Sequence, residues 1–557
     1  MVRGVLNIVY KEVNGLHQAA YVLAAFAFGS QLLALFRDRL LAHEFGAGAI
    51  LDTYYAAFKI PDLLYVIFAS TLSVYVLIPF VSAYEEKAEA VKARKLLSSV
   101  FSLFLLAYSL IAIVMMLTAP LWVSYIFPGI TDSETLVHLM RILLLQPLLL
   151  GVSSLCGVVT QVGRHFVLYA ISPLLYNLGI IAGIIFLYPV IGLSGLAVGV
   201  VIGAAAHLLV QLPLLLRSKL AFGFTKNIFS KEVWQVLKVS LPRALTLSIN
   251  QIILLCLISL ASVMTAGSVS VFQFAYNLQS VPLAVIGVSY SVAAFPTLSK
   301  LYISNSMDNF RLHIITAMRH IIFWSVPAIA LIVVLRAQIV RVVLGTGAFD
   351  WSDTRLTAAV LALLVISLVA QAINLLIVRA FYAGGYTRIP LYVSLFGAML
   401  AIGASIFTVH YYSTHEKLQW WLVETLRLSQ VTGSEVIAIA FGFVFATIIQ
   451  AMIFLACAAW VYKLQSSILT LHIFRAIFAA TVGGFSAYVA LNFFVVGINT
   501  DSTIGIFLQG FLSGSIGLIG VVLAYYAVRS QELQEVYEAC RKRLGRTNII
   551  GSTEDGF

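Results

Sequence analysis

The chain has 557 residues, of which 61% are hydrophobic and 10% are charged, and its mean hydropathy is +1.00. Soluble proteins carry roughly 25% charged residues, so this composition excludes an ordinary water-exposed surface. The net charge of +11 does not indicate nucleic-acid binding, because the cations lie in short segments between apolar runs. The four cysteines are far apart and show no disulfide or metal-binding spacing.

Apolar runs of about 20 residues recur from Ala19 to Tyr526, each long enough to cross a hydrocarbon core about 30 Å thick. We therefore predict an all-α integral membrane protein of about 14 transmembrane helices, without a removable signal peptide. The predicted spans are 18–42, 50–82, 97–126, 137–162, 166–188, 191–216, 236–264, 269–298, 314–344, 356–383, 389–412, 435–462, 471–497 and 503–528.

The lysines and arginines between the spans predict the orientation of the chain. The termini and the even-numbered connections hold most of them, including Lys87, Lys92, Arg94, Lys95, Arg164, Arg217, Lys219, Lys226, Lys231, Lys300, Arg311, Arg388 and Lys463. The opposite connections hold little beyond Lys417 and Arg427. Because cations favour the cytoplasmic side, both termini are predicted to be cytoplasmic.

Two stretches of the sequence resemble each other in spacing. The stretch AGAILDTYYAAFKIPDLL, around Gly48, leads to Pro79, and GSVSVFQFAYNLQSVPL, from Gly267, leads to Pro296. Both follow an odd-numbered span, which predicts two parallel, pseudo-symmetric six-helix lobes related by an axis along the membrane normal, plus two C-terminal helices. Such an architecture places the substrate between the lobes.

These spans divide the chain into eight predicted segments. They are a cytoplasmic N-terminal segment (1–17), an N-lobe (18–216), a cytoplasmic linker (217–235), the first part of a C-lobe (236–412), an external interfacial segment (413–434), span 12 (435–462), spans 13 and 14 (463–528) and a cytoplasmic tail (529–557).

Charged residues inside the first two spans are the main candidates for a binding site. A charge at the bilayer centre costs at least about 2.5–3.5 kcal/mol unless it lies in a polar cavity or pair. Arg37 and Asp38 lie in the first span, and Asp52, Lys59 and Asp62 lie in the second. Their spacing predicts a polar face toward a cavity, with Arg37 near Asp38 or Asp52. Arginine binds phosphate with a planar fork of donors, so a diphosphate substrate is chemically consistent, although a purely structural ion pair stays open for Arg37.

A second group of residues is predicted to act in gating or packing. Arg243 follows Pro242 near the cytoplasmic end of its span, where a gate and a headgroup contact are both open. Arg379 is predicted to be a packing and gating residue. Pro61 and Pro296 supply kinks about which two lobes could move, although such kinks are also common in membrane helices without that role.

The sequence does not indicate an enzyme. It lacks paired carboxylates clustered at a membrane face and a phosphate-binding P-loop, so we predict a transporter without cofactor or metal. Efflux of amphipathic cations is disfavoured, since a cationic cavity would repel them.

Several stretches together resemble the MurJ (MviN) family of lipid II flippases, within the multidrug/oligosaccharidyl-lipid/polysaccharide exporter superfamily. They are LFRDRLLAHEFGAGAILDTYYAAFKIPDLL from Leu35, SPLLYNLGII from Ser172, AGSVSVFQFAYNLQSVPLAVIGVSYSVAAFPTLSK from Ala266, LGTGAFDWSDTRLTAAVLAL from Leu344 and RAFYAGGYTRIP from Arg379. The resemblance implies a protein of the inner (plasma) membrane that moves lipid II from the cytoplasmic to the external leaflet by alternating access. It also implies a cationic central cavity, a groove for the polyprenyl tail at residues 463–528, and partners among cell-wall synthesis proteins.

The resemblance also implies specific site residues. The family's Arg-Asp pair matches Arg37 and Asp38, and its acid in the second helix matches Asp52. Where the family usually has further charges, this chain has Gln31, Tyr65 and Tyr276-Asn277. The predicted substrate-binding residues are therefore Arg37, Asp38, Asp52, Lys59, Gln31, Tyr65 and Asn277. These departures leave two alternatives open: a flippase for another polyprenyl-linked oligosaccharide, and a non-transporting scaffold of cell-wall synthesis.

Overall fold

The computed structural model describes residues 16–71, 74–429, 431–464, 469–494 and 502–546. Within these ranges the chain is built of helices and contains no β-strand, as predicted. Helices suit these apolar runs because each helix satisfies its backbone hydrogen bonds internally, whereas lipid chains offer no hydrogen-bond partners.

The first eleven helices run to the middle of the chain. They are α1 (Leu16–Phe45), α2 (Ala49–Thr71), α3 (Val74–Glu86), α4 (Ala90–Ile126), α5 (Ser133–Leu143), α6 (Leu145–Val162), α7 (Phe166–Ala182), α8 (Tyr188–Ile191), α9 (Leu193–Leu209), α10 (Leu212–Arg217) and α11 (Lys231–Ser262). A π-helical turn (Gly183–Leu187) joins α7 to α8.

The remaining helices are α12 (Ser268–Pro282), α13 (Ser289–Ile303), α14 (Met307–Val343), α15 (Trp351–Ile366), α16 (Leu368–Ala383), α17 (Arg388–Thr414), α18 (Glu416–Thr425), α19 (Val436–Tyr462), α20 (Leu469–Val489), α21 (Thr503–Ala527) and α22 (Gln531–Arg546). π-Helical turns follow α12 (Leu283–Val288) and α20 (Ala490–Phe494).

Eleven helices of the described ranges are long and apolar enough to cross a membrane. A twelfth span results if α15 and α16, which meet at a bend of 44°, are counted together. The other two predicted spans correspond to α1 and to α2 with α3, so the count of 14 stays a prediction. In the predicted interfacial segment, α18 carries Trp420 and Trp421 with exposed side chains.

The helices form two compact units. Unit 1 contains Met1–Leu278, Val343–Val360 and Pro390–Ala446, and unit 2 contains Gln279–Val342, Leu361–Ile389 and Thr447–Phe557. The predicted lobe boundaries and the superposition of the two similar stretches stay predictions.

Glycines set the position of α7 within unit 1. A Cβ atom added to Gly179 of α7 would lie 2.2 Å from the Cα of Gly203 in α9, and one added to Gly183 would lie 2.7 Å from the Cα of Gly199. On each side of this contact the two glycines are four residues apart, a spacing of small residues that lets membrane helices pack backbone to backbone. This contact fixes α7, which carries Tyr176 and Asn177.

Candidate functional site

Arg37 and Asp38, near the C-terminal end of α1, form an ion pair. The Arg37 Nη2 and Nε atoms donate to the Asp38 Oδ1 atom at 2.8 and 3.0 Å. The second carboxylate oxygen of Asp38 accepts from the Asn277 Nδ2 atom of α12 at 2.9 Å, and the Arg37 Nη1 atom donates to the Asn177 Oδ1 atom of α7 at 3.3 Å. The pairing predicted for Arg37 is therefore present, and it joins three helices of unit 1.

Lys59 of α2 belongs to the same polar network. Its Nζ atom donates to the Gln273 Oε1 atom of α12 at 2.6 Å, and the Gln273 Nε2 atom donates to the Asn277 Oδ1 atom at 2.7 Å. Asp62, one turn further along α2, is hydrogen-bonded by Gln146 and lies close enough to Lys59 for electrostatic attraction. A continuous chain of contacts thus connects Lys59 to Arg37 through the two amides and the Asp38 carboxylate.

These residues surround a cavity of about 160 Å³ inside unit 1. Its walls combine two cations and one acid with aromatic and amide side chains. They are Arg37, Leu41, Tyr54, Tyr55, Phe58, Lys59, Asp62, Tyr176, Ile180, Gln273 and Asn277. The lining itself holds two cations and one acid, and Asp38, which is not a lining residue, is ion-paired with Arg37.

Asp52, which was predicted to bind substrate, contacts the N-terminal end of α12. Its Oδ2 atom accepts from the Gly267 backbone N–H at 2.6 Å, and its Oδ1 atom accepts from the Ser270 N–H at 2.7 Å and the Ser270 hydroxyl at 2.5 Å. A carboxylate stabilises a helix N-terminus because the first N–H groups there lack partners within the helix. Asp52 therefore holds the start of α12 against α2, and it is not among the residues that line the cavity.

Three other predicted residues, Gln31, Tyr65 and Arg379, are not among the residues that line the cavity. Gln31 is partly exposed on α1, and Tyr65 is hydrogen-bonded to Ser154. Arg379, in unit 2, donates from its Nη1 atom to the Val288 carbonyl at 3.4 Å. Arg243 lies in α11, and its side chain is outside the described part of the chain.

The two predicted kink residues occupy different surroundings. Pro61 is buried in the middle of α2, and Pro296 is exposed in α13. Neither proline ends its helix. Their role in gating stays a prediction.

Sequence reasoning missed the neutral members of the site. Asn177, Gln273 and Tyr176 touch the ion pair or line the cavity, yet only charged residues and the positions matched by family resemblance were predicted. A signal was available, since Gln273 and Asn277 are four residues apart and share one face of an otherwise apolar helix. Polar side chains inside a membrane helix usually face a partner or a cavity.

The arrangement is suited to binding an anion. A guanidinium has five N–H donors and an ammonium has three. Within the described part of the chain, Arg37 uses three donors in hydrogen bonds and Lys59 uses one. Two donors on each side chain are thus available to a phosphate-like group, which is the ligand that such charge-assisted donors bind well.

Unit 2 contains a separate apolar groove of about 510 Å³. One side is formed by the π-helical turn after α12 and the start of α13. The other sides are formed by the middle of α14, the end of α21 and the start of α22. The lining residues are Val285, Ile286, Tyr290, Phe323, Trp324, Pro327, Ala328, Leu331, Leu518, Val521, Val522, Tyr525, Leu533 and Val536. None of them is charged, so the groove is suited to a hydrocarbon chain.

Comparisons with known proteins agree with this architecture. A family model described as "Lipid II flippase MurJ" matches residues 41–416. A relative named probable lipid II flippase MurJ, from Buchnera aphidicola subsp. Baizongia pistaciae, is 26% identical over 70% of this chain and 77% of its own length. A relative named lipid II flippase MurJ, from Burkholderia cenocepacia, is 23% identical over 68% of this chain and 76% of its own length.

Solved structures share the fold. One, described as lipid II flippase MurJ in an inward closed conformation, has a TM-score of 0.72 at 22% identity and covers 91% of this chain and 99% of its own. An inward-facing multidrug resistance transporter of the MATE family has a TM-score of 0.64 at 16% identity, over 78% of this chain and 94% of its own. The chain therefore shares the fold of these two proteins.

Proposed function

Because the chain belongs to the MurJ family of lipid II flippases, we propose that it moves lipid II from the cytoplasmic to the external leaflet of the inner membrane. The observation that carries this proposal is the cavity of unit 1, where Arg37 and Lys59 present unused donors on two different helices. The diphosphate of the substrate supplies the anionic oxygens that these donors bind.

Three neutral side chains allow this site both to bind and to release an anion. In the structure, Asn177 and Gln273 accept hydrogen bonds from Arg37 and Lys59. A diphosphate would replace these weak neutral acceptors, while Asp38 would keep its hold on Arg37 and so fix the guanidinium. Asn277 links the two halves of the network, because its amide donates to Asp38 and accepts from Gln273.

The size of the cavity implies a conformational change. A volume of about 160 Å³ lies below the lower end of ordinary ligand sites, about 300 Å³, so a sugar-diphosphate headgroup requires the walls to separate. The hydrogen bonds of Lys59 and Asn277 join α2 and α1 to α12, and these are the contacts that opening would break. Alternating access is the proposed mechanism, with Arg243, Arg379, Pro61 and Pro296 as candidates for gating.

We assign the apolar groove of unit 2 to the polyprenyl tail. The residues from α21 and α22 that line it fall at the end of the predicted tail region and just beyond it. A separate apolar groove would keep the polyprenyl tail in an apolar environment while the headgroup crosses the membrane.

The proposal includes an orientation and partners. The excess of lysine and arginine in the even-numbered connections supports cytoplasmic termini. Association with other cell-wall synthesis proteins rests on family membership alone.

The test is complementation of a cell depleted of its own lipid II flippase. Wild-type protein should restore growth and raise the amount of lipid II accessible to an externally added hydrolase. Lys59→Gln should reduce that amount about ten-fold or more, because it removes a charge-assisted contact. The matched control is Lys226→Gln, which removes an exposed cation outside the cavity and should leave transport unchanged.

Two results would overturn the proposal. Restored growth without any external lipid II would support the scaffold alternative. Accumulation of a different polyprenyl-linked oligosaccharide outside the cell, with lipid II unchanged, would assign the site to another headgroup.

A further inference from the structure

A second polar cavity lies in unit 1, apart from the cavity around Arg37. It measures about 690 Å³ and is formed by the end of α4, by α5 and by the start of α9. The connection from α4 to α5 contains no lysine or arginine, and the positive-inside rule assigns it to the external face. The cavity therefore lies toward the outer leaflet.

Arg141 lies at the inner end of this cavity because of a proline. Pro120 in α4 has no backbone N–H, which leaves the carbonyl of Met116, four residues earlier, without its helical partner. The Arg141 Nε atom donates to that carbonyl at 2.9 Å. Met116 is ten residues before the end of α4 at Ile126, or about 15 Å along the helix axis, so Arg141 lies at the depth of the hydrocarbon.

The terminal amino groups of Arg141 have no partner among the described residues. One carbonyl satisfies only one of the five donors of a guanidinium. A cation at this depth is costly unless water or an anion satisfies it. The cavity beside Arg141 provides the space for such an anion.

The other polar groups form a ladder from Arg141 to the surface. Glu134, His138 and Arg141 lie on one face of α5 because they are four and three residues apart. The His138 Nε2 atom contacts the Ser194 hydroxyl at 3.1 Å, and Glu134 is exposed at the outer end. The lining thus has a cation inside and an acid at the mouth, seven residues or about 10 Å apart along the helix.

The walls beside this ladder face lipid. Leu117 and Leu121 of α4 are 73% and 72% exposed, and they adjoin Pro120 and Ser124, which line the cavity. An amphiphile could therefore place its headgroup in the cavity while its acyl chains remain on the apolar surface of α4.

We propose that this cavity binds a phosphoethanolamine headgroup of an outer-leaflet phospholipid, with Arg141 on the phosphate and Glu134 on the ammonium. The order of charges decides the headgroup. In such a lipid the phosphate lies next to the acyl chains and the ammonium lies further out, which matches a deep cation and a shallow acid. The long side chains of Arg141 and Glu134 can bend toward each other and shorten the gap between their charged ends. This site is independent of the lipid II site proposed above.

The test uses the full-length protein, purified in detergent, with phosphatidylethanolamine, phosphatidylglycerol or diacylglycerol added. Native mass spectrometry measures the fraction of protein that retains each lipid. Wild-type protein should bind phosphatidylethanolamine more tightly than phosphatidylglycerol, and diacylglycerol least. Arg141→Gln should weaken both phospholipids about ten-fold or more, because the glutamine amide can still donate to Met116 but carries no charge.

Glu134→Gln provides the sharper result, since Glu134 is exposed and its replacement leaves the helix packing intact. It should abolish the preference for phosphatidylethanolamine and leave phosphatidylglycerol binding unchanged. Arg217→Gln, an exposed cation at the end of α10, is the matched control and should behave as wild type. The proposal is overturned if Glu134→Gln keeps the preference, if wild-type protein shows none, or if Arg217→Gln weakens binding as much as Arg141→Gln.

Discussion

Arg37 and Lys59 differ in how their charges are compensated. Arg37 contacts the carboxylate of Asp38 at 2.8 Å, and only 21% of its side chain is exposed. Lys59 is buried and has a neutral amide as its direct partner, with Asp62 nearby. Lys59 is therefore compensated less directly than Arg37, while Arg37 is held by a direct ion pair and contributes oriented donors. In the proposed site, the two cations would contact different parts of one anionic headgroup.

Asp52 is expected to act on stability more than on substrate binding. In Asp52→Asn, one of the two oxygens that accept from Gly267 and Ser270 becomes an NH2 group, which cannot accept. We expect a loss of about 1.5–3 kcal/mol, the value of a hydrogen bond to a charged group. The measurement is the thermal unfolding temperature of the purified protein.

Asp308→Asn is the matched control, because Asp308 forms its ion pair with Arg311 while 98% of its own side chain is exposed. Such surface pairs contribute less than about 1 kcal/mol. An equal fall in unfolding temperature for both variants would show that the contacts of Asp52 have no special weight.

At the level of elements, the junction between the start of α12 and the turn before α2 depends on a glycine. Gly267 has a φ angle of +96°, and a Cβ atom there would lie 2.3 Å from the Ala47 carbonyl oxygen. Gly267→Ala should destabilise the protein by at least about 1 kcal/mol, because it combines backbone strain with a steric clash. Loss of detergent-solubilised, monodisperse protein on heating would measure this effect.

Gly403→Ala, in the middle of α17, tests the same substitution where nothing lies within 4 Å of the added atom. Alanine favours a helix by about 1 kcal/mol over glycine, so this variant should be as stable as wild type or more stable. Equal destabilisation at both positions would contradict the account of the junction.

The C-terminal helix α22 is attached to unit 2 by buried charges. Glu532 accepts from the Arg319 Nε atom at 2.8 Å and from the Ser530 hydroxyl at 2.6 Å, and His320 contacts Glu535 at 2.8 Å. Burial alone would raise the pKa of Glu532, but the hydrogen bonds from Ser530, from the backbone and from Arg319 hold its pKa below the usual 4.5. A lowered pKa means that the ionised carboxylate is favoured in the folded state. It stabilises the folded state at pH values above the pKa of the unfolded state, and this contribution is lost as the pH falls through the pKa of the folded state.

We therefore expect α22 to be protected from hydrogen exchange at pH 7 and to lose protection below about pH 4.5, after correction for intrinsic exchange rates. At pH 7, Glu532→Gln should speed exchange in α22 about ten-fold or more. Glu538→Gln, at an exposed position of the same helix, should have no effect. Equal protection in all three proteins would show that these charges do not attach the helix.

Across the whole molecule, sequence reasoning succeeded where the signal was local. Long apolar runs predicted the helical membrane fold, and the adjacent charges of Arg37 and Asp38 predicted an ion pair. It did not find the partners that folding brings together: Gln273 lies 214 residues from Lys59, and Asn177 lies 140 residues from Arg37. The contacts of Asp52 were hidden for the same reason, since it caps the start of α12 through Gly267, which lies 215 residues later. A lone acid in a span shows that a partner exists without showing which one.

The central claim is that Arg37 holds the substrate, and an allelic series at this position tests it most directly. Arg37→Lys keeps the charge but loses the planar fork, Arg37→Ala loses both, and Arg37→Glu repels an anion. In a flippase-depleted strain, externally accessible lipid II should fall in the order wild type, Lys, Ala, Glu, at equal abundance in the membrane. Loss of one charge-assisted contact costs about 1.5–3 kcal/mol, or roughly ten-fold to over a hundred-fold in binding.

A purely structural arginine would give a different pattern. Membrane abundance would then fall together with transport, and the double variant Arg37→Ala with Asp38→Ala would restore much of both, because no unpaired charge remains. The decisive measurement is therefore external lipid II per unit of membrane protein for Arg37→Glu. The account predicts a near-complete loss at normal abundance, and transport by Arg37→Glu equal to wild type at normal abundance would contradict it.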